Sequence, residues 1–76
     1  MTKAEAENEW KKLHNEICSK TFILNRTNKK VIVTKVFIYP LDANNYELWC
    51  EFYGNEIPPT FLEIRQFFKR YTEIIF

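Results

Sequence analysis

Lys30-Val31-Ile32-Val33-Thr34-Lys35-Val36-Phe37-Ile38-Tyr39 is the stretch that decides the fold. All but its two lysines are β-branched or aromatic, a composition that suits a pleated, packed surface and predicts a strand. Pro40 ends that strand, and Leu41 to Asn45 reads as a loop in which Asn44-Asn45 can take left-handed backbone angles. Tyr46 to Tyr53 reads as the next strand, closed by Gly54-Asn55. Upstream, Thr21 to Asn25 is short, apolar and β-leaning, and Arg26-Thr27-Asn28-Lys29 supplies the turn. Three consecutive strands joined by short turns are expected to pair as an antiparallel meander.

Helical signals flank the strands. Thr2-Lys3-Ala4-Glu5 matches a capping box, with Thr2 as N-cap and Glu5 reaching back to its N–H. Ala6, Trp10, Leu13 and Ile17 then recur at spacings of four, three and four, one narrow stripe of a helix over residues 3–19. At the other end Pro58-Pro59 stops regular structure, and Thr60-Phe61-Leu62-Glu63 repeats the capping-box pattern. Phe61, Ile64, Phe67, Phe68, Tyr71 and Ile75 share one helical face of a second helix over about 61–73. The expected order is α-β-β-β-α, an α+β fold in a single domain spanning residues 1–76.

Seventy-six residues lie near the lower limit for folding without staples, because such a chain buries only about 60% of its unfolded surface. Large side chains compensate. Seven Phe, four Tyr and two Trp bury the most area per residue. The formal charge of +1 argues against bulk attraction to nucleic acid or anionic membrane. Charge is nonetheless uneven along the chain. Residues 1–35 hold eight Lys/Arg and four Asp/Glu, whereas residues 36–76 hold three and six. No apolar run approaches a membrane span and no signal peptide opens the chain, so the expectation is a cytoplasmic protein with Cys18 and Cys50 as free thiols. The sequon Asn25-Arg26-Thr27 is inert in that setting.

Catalysis needs converging groups of matched pKa, and the sequence offers few. His14 is the only histidine. It can reach Cys18 at i, i+4, but nothing in the sequence orients it or supplies an oxyanion hole. Two Cys and one His without CxxC or HxxxH spacing make no zinc signature, and a single glycine excludes a P-loop and a dinucleotide fingerprint. The reading is therefore non-enzymatic, with no cofactor, metal or small-molecule substrate implied.

The strands offer surfaces instead. On Tyr46–Tyr53, Tyr46, Leu48, Cys50 and Phe52 form one face and Glu47, Trp49, Glu51 and Tyr53 the other, and the acids mark the second face as the wetter. The preceding strand is apolar on both faces. Turning Ile32, Val36 and Ile38 inward leaves Val31, Val33, Lys35, Phe37 and Tyr39 outside. The resulting outer face carries Phe37, Tyr39, Trp49 and Tyr53, edged by Lys35, Glu47 and Glu51. Three readings compete for it: core under a helix on each side, a surface for a protein partner or a second copy of the chain, or a stacking platform for single-stranded nucleic acid. Arg26, Lys29, Lys30 and Lys35 are the candidate phosphate contacts for the last, which the interleaved Glu47 and Glu51 disfavour.

Val31-Ile32-Val33-Thr34-Lys35-Val36, Tyr46-Glu47-Leu48-Trp49-Cys50-Glu51-Phe52 and Thr60-Phe61 resemble small SH3-like barrel modules of bacterial and phage proteins. The resemblance covers about 30 residues, contains no invariant motif, and implies a small barrel with flanking helices as the alternative fold. Richness in Lys, Asn, Ile and Phe is associated with AT-rich genomes, those of low-GC bacteria and their phages. The expectation is a small protein-interaction module, an accessory protein of a phage or mobile element that regulates or inhibits a host protein. The alternative is a small nucleic-acid-binding regulator.

Overall fold

The computed structural model describes residues 1–74. It is an α+β fold: α1 (Lys3–Ile17), β1 (Thr21–Leu24), β2 (Lys30–Pro40), β3 (Tyr46–Gly54), β4 (Ile57–Glu63), α2 (Ile64–Arg70) and β5 (Tyr71–Glu73). The sheet has five strands rather than three, in the order β4-β3-β2-β1-β5, with every pairing antiparallel. No helix among the described residues is long and apolar enough to cross a membrane.

The first helix forms as its caps dictate. Thr2 Oγ1 accepts from the Glu5 N–H at 3.2 Å and the Glu5 carboxylate accepts from the Thr2 N–H at 3.0 Å. The Thr2 N–H donating to that carboxylate, with the Thr2 side chain beside it, holds the Glu5 carboxyl below its usual pKa by favouring the charged form. The helix ends at Ile17, two residues short of the expected 19, because the Cys18 backbone turns extended, with ψ 136°, and Ser19 then takes a left-handed φ of 66°.

The last third of the chain departs furthest from expectation. Pro58 and Pro59 do not stop regular structure; they lie in β4, an edge strand, at the register irregularity between the Gly54–Ile57 and Phe52–Thr60 pairs, where the regular ladder is interrupted and their missing N–H groups are tolerated. Phe61 and Leu62 pair with Glu51 and Cys50 of β3 instead of entering a helix. Thr60 therefore caps nothing, and its hydroxyl donates to the Pro58 carbonyl. The true N-cap is Glu63, whose carboxylate accepts from the Arg65 N–H at 2.7 Å. The helix is one face of Ile64 and Phe67; Tyr71 follows it into β5, Phe68 is exposed, and Ile75 lies outside the described residues.

Two further corrections concern β2. It runs through Pro40, which pairs with Tyr46. The turn beyond is built by Asp42, whose carboxylate accepts from the backbone N–H groups of Asn44 and Asn45, and neither asparagine is left-handed. More important is the parity. The register shifts by one residue between Val33 and Lys35, so Thr34 is a bulge opposite Glu51. Before the bulge odd residues point inward, and Val33 (0% exposed) and Val31 (1%) are core while Ile32 (40%) is exposed. After it the even residues point inward, with Val36 buried and Ile38 packed against the core. A strictly alternating reading placed Val31 and Val33 outside and Ile32 inside because it carried one parity across the bulge.

Both helices lie on the inner side of the sheet. α1 contributes Ile17 with Trp10 and Leu13 beside it, and α2 contributes Ile64 and Phe67. Phe67 is the hub: its ring centroid is 4.9 Å from Phe22, 5.0 Å from Phe52 and 4.8 Å from Tyr71. Each such buried aromatic contributes on the order of 1.5–3 kcal/mol by leaving water. The aromatic richness of the sequence is thus spent on a core small enough to need it.

Candidate functional site

Because both helices sit on one side, no element among the described residues covers the other. Strand alternation brings Phe37 and Tyr39 of β2, Trp49 of β3 and Phe61 of β4 to that open face. Phe37 stands directly opposite Trp49 in the register, and Tyr39 is opposite Glu47. The rings touch in two pairs: Tyr39 with Trp49 at 5.3 Å between centroids, and Phe37 with Phe61 edge-on at 5.8 Å. Tyr39 is 46% exposed and Phe61 48%, whereas Phe37 and Trp49 are half-buried between them.

Charged side chains frame the four rings. Glu47 accepts from the Trp49 indole N–H at 2.9 Å, which fixes both the carboxylate and the ring. Glu51 accepts from the Thr34 hydroxyl at 2.9 Å, so the bulge also positions an acid. Glu63 lies opposite Trp49 at the start of α2. Lys35 reaches over the Phe37 ring, its Nζ 5.6 Å from the centroid. The face therefore combines an aromatic centre with three acids and one base.

Of the residues expected here, Phe37, Tyr39, Trp49, Glu47 and Glu51 come together. Tyr53 does not join them. It pairs with Ile32 on the far side of the bulge, with Glu51 between it and Trp49 along the same strand face, and the two make a separate exposed spot. Phe61 was missed because it was assigned to a helix. No local signal marked it: Thr60-Phe61-Leu62-Glu63 runs polar, apolar, apolar, polar, and its strand conformation comes from pairing with β3. Ile32 was missed through the bulge.

The candidate phosphate contacts are dispersed. Arg26 and Lys29 lie in the β1–β2 connection, Lys30 opens β2 opposite Ile23, and Lys35 belongs to the aromatic face. Cys18 and His14 do meet, with Sγ 3.3 Å from Nδ1, and His14 stacks on Trp10. Burial pushes the Cys18 thiol up, opposed by the Val36 N–H, so the pair lacks the lowered thiol pKa a nucleophile requires. Cys50 is more extreme, pushed up to about 12 by burial with Cys18 and Glu63 nearby. Neither cysteine is in a disulfide. No group of three or more His, Cys, Asp or Glu among the described residues could hold a metal ion.

Comparison with protein-family models, curated proteins and solved structures finds no match to this chain.

Proposed function

We propose that this chain is a binding module that docks a foreign protein on the open face of its sheet and regulates or blocks what that partner does. One observation carries the reading: two helices on the same side leave Tyr39, Trp49, Phe37 and Phe61 as a contiguous aromatic surface in water. Aromatic clusters of this kind dominate interface energetics, and polar groups at their rim set partner choice. Charge argues for a foreign partner over a second copy. Glu47, Glu51 and Glu63 against Lys35 alone make the face acidic, and stacking two copies brings like charges together. The same acids disfavour a phosphate backbone here. The fitting partner presents aliphatic side chains edged by Lys or Arg. The strand order, with β1 flanked by β2 and β5 and a short helix before β5, supports an SH3-like reading of the sheet.

The test is a pair of point variants. A partner identified by capture and mass spectrometry is purified and its affinity measured for the wild-type chain, Tyr39→Ala and Trp49→Ala. The expected loss on Trp49→Ala is roughly 2 kcal/mol or more, the scale of an interface hot spot. Wild-type affinity in both variants, with unchanged melts, sinks the reading. Sedimentation of the chain alone is the control, since a dimer dissolved by Tyr39→Ala assigns the face to self-association.

A further inference from the structure

The two ends of the curled sheet approach each other around a cleft of about 660 Å³. β4 forms one wall with Ile57, Thr60 and Leu62, and the β1–β5 end forms the other with Leu24 and Tyr71. Four cations surround the opening: Arg26 and Lys29 from the β1–β2 connection, Lys69 and Arg70 from the end of α2. Among the described residues, no Asp or Glu lines it. In a chain whose net charge is only +1, four of eleven bases gathered on one apolar hollow are a local excess that repels itself until an anion enters.

The arrangement is held in place. The Asn25 N–H donates to the Arg70 carbonyl at 2.9 Å, which ties the loop carrying Arg26 and Lys29 to the helix end carrying Lys69 and Arg70. The Thr72 hydroxyl donates to Asn25 Oδ1 at 2.7 Å, a second tie between that loop and β5. A site fixed before its ligand arrives loses less entropy on binding.

We propose that this cleft binds a small organic anion: a phosphate or carboxylate head held by the four cations, on an apolar ring or short chain seated against Leu24, Ile57 and Leu62. The volume lies within the range of small-ligand sites, roughly 300–1,000 Å³. A nucleic-acid strand fits less well. Stacking needs exposed rings, and the aromatics of this cleft, Phe52 and Tyr71, are buried.

The probe is 1-naphthyl phosphate, titrated into the full chain and followed by amide chemical shifts, with 1-naphthol and inorganic phosphate as half-ligands. The expected result is saturable binding with shifts centred on Leu24, Arg26, Ile57 and Tyr71, at least about tenfold tighter than either half-ligand. Lys69→Gln/Arg70→Gln should weaken it by about tenfold or more, and Arg26→Gln/Lys29→Gln serves if the first variant does not fold. Equal affinity for naphthol, shifts centred on the Tyr39–Trp49 face, or undiminished binding by the folded charge variants overturns the proposal. So does an oligothymidylate that binds the same residues more tightly than the probe with a steep salt dependence, which assigns the cations to a nucleic-acid strand.

Discussion

The Trp10 indole N–H donates to the Val36 carbonyl oxygen across 2.6 Å. β1 accompanies β2 only as far as Ile32, and the Ser19–Lys20 backbone reaches Val33. Beyond that point the inner edge of β2 has no strand beside it. A helix side chain stands in for the missing ladder, and the same contact fixes how α1 lies across the sheet. Trp10→Phe keeps the apolar ring but leaves a half-buried carbonyl without its donor. The expected cost is about 1–2 kcal/mol, read from a urea melt. An unchanged midpoint shows that water satisfies Val36 equally well.

The start of α2 separates two similar residues. Glu63→Ala removes the acceptor of the Arg65 N–H and should cost about 1 kcal/mol, as lost N-caps do. Thr60→Ala should cost no more than about 0.5 kcal/mol, the usual range for exposed positions, since its hydroxyl serves only the Pro58 carbonyl. The reverse ranking in thermal melts places the helix start at Thr60.

Gly54 is required by a neighbour rather than by its own backbone angles. A Cβ there collides with the Lys30 carbonyl oxygen, a main-chain atom that cannot swing away. Gly54→Ala should destabilise by about 2 kcal/mol, within the range for overpacking. The amide shifts of Lys30 and Val31 should move with it. A melt within error of wild type shows that the strands part freely at that end.

The thiols should be inert while the chain is folded. Burial lifts both, Cys50 to about 12, so almost none of it is thiolate at pH 8. Labelling of Cys50 by a maleimide should follow global unfolding, and Cys18, which is half-buried, should react first. Fast native-state labelling of Cys50 contradicts the packing of β3 against the core.

The parts of this fold that were legible are those written in local chemistry. The Thr2–Glu5 box, the Ala6–Trp10–Leu13–Ile17 stripe and the inward face of Leu48, Cys50 and Phe52 each depend on near neighbours. What was illegible depends on distant pairing. Phe61 became strand because β3 offers it Glu51, and Tyr71 became strand because β1 offers it Leu24. Leu24 is far from Tyr71 in sequence, and Glu51 reaches Phe61 only across the β3–β4 hairpin. Three members of the aromatic face, Phe37, Tyr39 and Trp49, stood in the sequence reading of the sheet, but their exposure depends on where the helices pack, which no periodicity encodes. The cleft was invisible for the same reason: Arg26 and Arg70 meet only through the pairing of β1 with β5.

The bulge at Thr34 gives β2 an uneven tolerance to gain and loss of residues. With the bulge kept in place, removing Ile32 or Phe37 turns over the strand beyond the gap and sends Val31 or Ile38 into water. Removing Thr34 itself does not. The pairing Val33 with Phe52 then runs on to Lys35 with Glu51 without a shift, and every side chain keeps its face. What disappears is the bend, and with it the extra twist that a bulge imparts. The Thr34–Lys35 step is thus the place in β2 where a gap is silent for the core but changes the curvature of the sheet, and so the width of the opening between its two ends.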